Sequence, residues 1–393
     1  MPGLGIRDST LLEESVSVTQ FATPLPSPER QPRSAEPAES LVIQTSFLGD
    51  TVLTTPLIAE LAMRGPVDVV VTPAAAPLLA NNPYVRRLVI YDKRADDSGL
   101  YGLWRAGRGL RGRRVAPPAP ARRERRANRV AYLAQGSVRS ATLAVLAGCD
   151  ERVGFATSPA RRLYTARVPY RDDRHHAERL WRLAFPDRPD AEPDADSLRP
   201  RLYPGRAERE AVESALAAGG GLRADERVVA MAPGSVWGTK RWPHYPELAT
   251  RLGSRCVIAI VGSAADSEAA RAISAARRAG GGEGSRTLDL TGKLSLLASA
   301  EMIGRAVALV TNDSSPQHLA SAMGTRTITL FGPTVPQFGF GPLAPGSESP
   351  GLAALPCRPC HHHGPETCPL GHWRCMRELS ASSIEGLLLP SLA

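Results

Sequence analysis

Three short segments hold the residues whose types and spacing can do chemistry. In the first, Asp50 opens a helical pattern directly after the apolar run LVIQT. A carboxylate there can cap the helix, accepting from its free amides and favoured by the helix dipole. It can also serve as a general base at the mouth of a cleft, taking a proton from an acceptor hydroxyl. Position alone favours the cap. In the second segment, APGSVWGTKRWP, the small residues Gly234, Ser235, Gly238 and Thr239 let the backbone approach an anion closely, and Lys240 places a compact charge on a phosphate. The ordinary alternative is a surface loop, and GxxxxGK[ST] is not matched. Lysine is scarce, however: 45 of the 48 cations are arginine, and the only lysines are Lys93, Lys240 and Lys293.

In the third segment, VTNDSSPQHLASAMGT, a buried strand runs into Asn312-Asp313-Ser314-Ser315, and Pro316 starts a helix, as its missing N–H and fixed φ allow. The free amides at that start suit a diphosphate. Asp313 can bind sugar hydroxyls, and His318 lies on the first turn facing the same way. A well-capped helix with an unrelated histidine has the same pattern.

These segments need elements to hold them. Short apolar runs at 41–45, 67–72, 85–91, 130–133, 227–232, 256–261, 306–311 and 327–331 read as strands, with helical patterns between them. That alternation predicts an α/β protein with parallel sheets covered on both faces. The Pro- and Asp-rich stretch 186–206 separates two such runs, so two domains with a cleft between them are expected. Ligands in such sheets sit at the carboxyl ends of strands, where loops 46–50, 233–240, 262–266 and 311–318 all fall. The expected divisions are a disordered extension at 1–40, a first domain at 41–205 with a basic insertion at 93–129, a second at 206–350, and a Cys/His-rich tail at 351–393.

At 393 residues and 42% hydrophobic residues, the chain can bury a sizeable core. The net charge of +9 equals the excess in residues 93–129, which hold twelve Lys/Arg against three Asp/Glu. The rest balances, so a uniformly basic protein is excluded. Only Tyr101 and Trp104 accompany these arginines and no nucleic-acid module is present, which argues against a nucleic-acid partner. No apolar run approaches the roughly 18 residues of a spanning helix. The start lacks a basic n-region and an apolar h-region, which makes the cytoplasm the expected compartment. Four cysteines, Cys357, Cys360, Cys368 and Cys375, fall within nineteen residues alongside His361, His362, His363 and His372. Their opening Cys-x2-Cys fits a structural zinc or iron site, but the later spacings match no standard finger, so a loop of reduced thiols stays open beside it.

Taken together and in this order, Gly49-Asp50-Thr51-Val52-Leu53 with Pro56, Pro233-Gly234-Ser235 with Lys240-Arg241-Trp242-Pro243, and Asn312-Asp313-Ser314-Ser315-Pro316-x-His318 with Phe331-Gly332-Pro333-Thr334 resemble the bacterial lipopolysaccharide heptosyltransferases of glycosyltransferase family 9. Cys368-Pro369 and Cys375-Met376 resemble the tail of the type II members. The resemblance covers about residues 41–390. It implies a GT-B fold of two Rossmann-like domains, with the acceptor on the first, the nucleotide sugar on the second, and a final helix crossing back. It implies inverting transfer of heptose from ADP-heptose to the lipopolysaccharide inner core, with no cofactor required and no metal in the active site. Asp50 then matches the catalytic base, and Lys240 the lysine on the donor phosphates. Asp313, Ser314, Ser315 and His318 match the donor-binding motif, with Ser235 and Asp266 as neighbours. On an acceptor domain, Arg111, Arg113, Arg114, Arg122 and Arg123 would meet acceptor phosphates and carboxylates and the anionic inner-membrane surface. The rival readings are a transferase using another nucleotide sugar or a protein acceptor, and a non-catalytic binding module on the same scaffold.

Overall fold

The computed structural model describes residues 39–111, 129–188 and 190–392. The first half contains β1 (Glu39–Gln44), α1 (Leu48–Leu53), α2 (Thr55–Ala62), β2 (Val67–Val71), α3 (Ala76–Leu79), β3 (Arg87–Ile90) and α4 (Gly99–Gly109). It continues through β4 (Arg129–Leu133), α5 (Val138–Leu146), β5 (Glu151–Phe155) and β6 (Ala166–Val168). All six strands are parallel, in the order β3-β2-β1-β4-β5-β6. Leu41, Val42 and Ile43 are fully buried because alternate residues face different helical layers: Val42 packs with α2, Leu41 and Ile43 with α5. That two-sided burial is why β1 is a continuous apolar run.

Three connecting helices follow, α6 (His176–Trp181), α7 (Ala195–Leu198) and α8 (Arg206–Ala218). The second half then contains β7 (Val228–Ala232), α9 (Tyr245–Leu252), β8 (Val257–Ile260), α10 (Ser267–Gly280), β9 (Arg286–Asp289) and α11 (Leu296–Gly304). After β10 (Ala308–Asn312), α12 (Ser315–Met323) and β11 (Thr327–Leu330) come α13 (Arg374–Arg377) and α14 (Ala381–Leu388). The second sheet is also parallel, in the order β11-β10-β7-β8-β9. The expected pair of Rossmann-like parallel-sheet units is therefore present.

Strand order reverses between β1 and β4 in one sheet and between β7 and β10 in the other. Each reversal splays the neighbouring loops apart and leaves a crevice at the strand ends. Asp50 follows β1, Lys240 follows β7 and Asp313 follows β10, so topology alone delivers all three to the crevices. The halves meet where α1 packs on α12, with Val52 buried in the same apolar cluster as Leu319 and Ala320.

Three expectations need adjustment. The first strand begins at Glu39, two residues inside the stretch expected to be disordered; residues 1–38 lie outside the described ones. The final helix does not cross back. Ala381, Ile384 and Leu388 of α14 bury their apolar face with Leu248 and Leu252 of α9. Arg251 and Arg255 of that half hold Glu385 at 2.7 and 2.9 Å, so both packing and charge keep α14 on the second unit. Strands β5 and β6 and helix α10 were also not anticipated.

Candidate active site

Asp50 is the third residue of α1, whose N-cap is Phe47, so the carboxylate is not the cap. It points instead into a polar corner. Ser46 Oγ lies 2.7 Å from Asp50 Oδ2 and 2.6 Å from Gln44 Oε1, so its single proton serves one acceptor at a time. On the other side, His176 Nε2 stands 4.0 Å from Asp50 Oδ1. Burial raises the Asp50 carboxyl above the usual carboxylate range, against the opposing pull of the Ser46 hydrogen bond and of His318, the Phe47 backbone and His363.

The histidines around Asp50 are neutral. Burial drops His176 to about 3 and His318 to about 4, with His175 also at about 4. Their neutrality matters, because a cationic imidazole beside Asp50 would make it a weaker base. His175 caps α6, accepting from the Ala177 N–H at 3.1 Å, which leaves Nε2–H to donate to the Gly341 carbonyl at 2.9 Å. His176 stacks on Phe340 with centroids 4.8 Å apart. The Nδ1 atoms of His176 and His318 are buried and, among the described residues, without a hydrogen-bond partner. His318 lies directly against α1, where a Cβ on Gly49 would come within 2.6 Å of its Cδ2.

Across the crevice, Lys240 closes a 3-10 turn, Gly238–Lys240, and is buried. Its Nζ donates to Asp313 Oδ2 at 2.6 Å and reaches the Asp313 carbonyl at 3.2 Å. The same carboxylate accepts from Thr334 Oγ1 at 2.6 Å and from Gln317 Nε2 at 2.9 Å. Asp313 was expected to face sugar hydroxyls; here its donors come from the chain, and it fixes the position of Lys240. Asn312 ties the two loops together, donating to the Pro233 carbonyl at 2.7 Å and accepting from the Trp242 N–H at 3.2 Å.

Ser314 caps α12 through backbone conformation alone, with no side-chain bond to the first-turn amides. Pro316 has no N–H and the Gln317 N–H donates to the Ser314 carbonyl at 3.2 Å, which leaves the Ser315 N–H of that turn available to an anion. Ser315 is the first residue of that helix. Ser235 sits in the β7 loop, its Oγ 3.3 Å from the Trp237 nitrogen. Asp266 accepts from both the nitrogen and Oγ of Ser263, at 2.8 and 2.9 Å, and packs so tightly on Gly234 that a Cβ there would meet it at 2.3 Å. It braces the loop after β7 against the loop after β8.

Arg111 is exposed and donates to the Leu146 carbonyl at 2.8 Å. Arg113, Arg114, Arg122 and Arg123 lie outside the described residues. The cysteine set converges on one small cavity of about 40 Å³ that Cys357, Cys360, Cys368 and Cys375 line together with His372. Cys357 Sγ stands 3.9 Å from His372 Nε2. All four are free thiols. Among the described residues no three His, Cys, Asp or Glu side chains are gathered closely enough to hold a metal ion. The present arrangement therefore does not fit the zinc or iron site that the spacing suggested.

Sequence reasoning missed the residues that act through others. Ser46, Gln317 and His176 are ordinary polar residues in sequence, and Thr334 stood only as the end of a motif with no role given; the fold sets them against Asp50 or Asp313. It also read the His361–His363 run only as possible metal ligands.

The sequence pattern of glycosyltransferase family 9 (heptosyltransferase) matches residues 122–373. A lipooligosaccharide heptosyltransferase 2 of Haemophilus influenzae is 28% identical over 311 residues, covering 76% of this chain and 84% of that protein. The structure of a family 9 glycosyltransferase from Veillonella parvula superposes with a TM-score of 0.73 at 18% identity, covering 92% of this chain and 98% of the other. That of ADP-heptose lps heptosyltransferase II from E. coli gives 0.69 at 24% identity, covering 90% and 98%.

Proposed function

The chain belongs to glycosyltransferase family 9, and from that membership we propose that it transfers L-glycero-D-manno-heptose from ADP-heptose to the lipopolysaccharide inner core, with inversion. The observation that carries this reading is the pairing of two chemistries across one crevice. A half-buried, weakly acidic Asp50 comes from the first unit, and the Asp313-held Lys240 with the open Ser315 N–H of α12 comes from the second.

In this reading Asp50 removes the proton of the acceptor hydroxyl as its oxygen attacks the anomeric carbon. The bond to the diphosphate breaks on the opposite face, and ADP departs with that electron pair. A raised carboxyl makes the better base, because its proton affinity lies closer to the working pH. Lys240 and the Ser315 N–H at the start of α12 stabilise charge that grows only as ADP leaves, which lowers the barrier rather than merely tightening binding. Ser46 can turn from Asp50 to Gln44 once the carboxyl is protonated.

No described helix is long and apolar enough to cross a membrane. We propose peripheral docking at the cytoplasmic membrane face through α4. Leu100, Tyr101 and Trp104 are 84%, 73% and 45% exposed, and Arg105 and Arg108 share the helix with them. Apolar and aromatic groups beside arginines are the composition of an interfacial helix. The first turn of α4 lies toward the crevice, where Arg139 binds the Gly99 carbonyl at 3.1 Å and Lys93 the Thr45 carbonyl at 2.7 Å.

The deciding experiment incubates the protein with ADP-heptose and core acceptors bearing zero, one or two heptoses. Elongation of one acceptor is expected. Turnover of none, with turnover of another nucleotide sugar or of a protein acceptor, overturns the assignment.

A further inference from the structure

The segment between Cys360 and Cys368 has no part in the chemistry above, yet it is stapled to the donor side of the crevice. At its start, the Cys360 N–H donates to the Pro333 carbonyl at 3.0 Å. At its end, the Pro365 carbonyl accepts from both the nitrogen and Oγ1 of Thr239, and Glu366 Oε2 accepts from the Gly238 N–H at 3.1 Å. Between these staples Gly364 lies so close to Lys240 that a Cβ would meet its Cε at 3.2 Å, and its φ of +83° suits glycine. The backbone therefore passes directly over the lysine assigned to the donor phosphates.

One residue earlier, the His363 ring projects toward the other unit, with its centroid 6.0 Å from that of Phe47, the N-cap of α1. The ring is exposed, and among the described residues it makes no hydrogen bond. It thus sits between the residues proposed to handle the leaving group and those proposed to handle the acceptor. Neighbouring His362 is parked on Phe338, centroids 4.8 Å apart, and His361 Nδ1 accepts from the His363 N–H at 3.0 Å. The His363 ring meets those of Phe47 and His361 at 6.0 Å each, and its nitrogens stay open to a ligand on an anchored loop facing the crevice.

We propose that His361–Glu366 forms a wall of the donor site and that His363 gives an imidazole N–H to the diphosphate of the nucleotide sugar, beside Lys240. This rests on the glycosyltransferase reading above. The charged and titratable groups facing the ring are Lys240, His361, His362 and Asp50. Partial desolvation at the loop, Lys240 and the other histidines hold His363 below its usual value against the pull of Asp50, so it is largely neutral at pH 7 when the site is empty. A bound diphosphate reverses the local field, so binding is accompanied by proton uptake at this ring.

The test measures ADP binding calorimetrically to the full chain at pH 6, 7 and 8, for wild type, His363→Ala and His363→Gln. In His363→Ala, affinity at pH 6 is expected to fall about tenfold, the size of one hydrogen bond to a charged group. The KM for the donor should rise by a similar factor while that for the acceptor hardly moves. His363→Gln keeps an N–H donor but cannot titrate, so it should recover part of the affinity at pH 8 and none of the proton uptake. The phosphate's own titration is common to all three proteins and cancels in the comparison. Equal affinities and equal proton uptake in the three proteins overturn the proposal while leaving the heptosyl assignment intact. A weakened His363→Ala in a protein whose wild type turns over another nucleotide sugar overturns that assignment and not this one.

Discussion

Gly49 and His318 touch across the two halves of the molecule, so closely that the glycine has no room for a side chain: a Cβ would stand 2.6 Å from the imidazole Cδ2. Alanine at position 49 would ordinarily help a helix by up to about 1 kcal/mol. Here the clash reverses the sign. Gly49→Ala is expected to destabilise by about 1–3 kcal/mol and to reduce kcat by at least tenfold, because Asp50 is the next residue. Urea unfolding and steady-state kinetics together check this, and a stabilised variant with normal turnover would count against the contact.

Asp50→Asn should lower turnover by about 10²–10⁴-fold, the usual contribution of a general base, with ADP affinity nearly unchanged. It should also raise stability at pH 7. Since burial raises the native carboxyl, ionising it costs stability, a cost absent below the unfolded value near 3.9 and complete once pH exceeds the raised native value. The stabilisation of Asp50→Asn over wild type should therefore shrink on acidification toward pH 4, as followed by thermal melting.

Ser46→Ala removes a hydrogen bond that holds the Asp50 carboxyl down. The acid limb of the kcat/KM profile should move to higher pH, with the plateau reduced less than tenfold. A limb that stays in place would separate Asp50 from the rate profile.

Lys240 and Asp313 are both buried and lie 2.6 Å apart. Asp313→Ala strands the ammonium without its partner, a loss of about 3–5 kcal/mol. Thr334→Val removes only one of three donors to the same carboxylate and should cost about 1 kcal/mol. Denaturation midpoints read both, and ADP affinity should fall in the same order.

His175, His176 and His318 are held near 4, 3 and 4 in the native state, whereas an unfolded imidazole titrates near 6.5. Unfolding below that value takes up protons. The stability these neutral rings supply is present above pH 6.5 and is lost as pH falls toward 4. Denaturation at pH 7 and 5 should show the drop, and His176→Phe should lessen it.

The parallel-sheet units were legible because buried strands such as LVIQT are continuous apolar runs ending in small or polar residues. Asp50, Lys240, Asp313 and His318 were legible because they fall in those endings. β5 was obscured by Glu151 and Arg152 at its edge, and α10 by arginines along an alanine-rich helix. The docking face of α14 was not legible, since an apolar stripe says that something covers it without saying what. Nor was the role of Asp313, because its partners Gln317 and Thr334 meet only once β10, α12 and the segment after β11 are folded together.

Helix α14, packed on its own half, has a mechanical consequence. The strap between the lobes is instead the segment after β11, where Phe340 and Leu343 pack on the first core and the His176 N–H donates to the Gly339 carbonyl at 2.7 Å before Glu348 returns to β11. Beside it lie the burial of Val52 with Leu319 and Ala320, Gly49 on His318, His176 on Phe340, and the bonds of His175 to Gly341 and of Arg179 to Phe338. Any hinge between the lobes must therefore peel that strap from the first core, and α14 rides along unstrained.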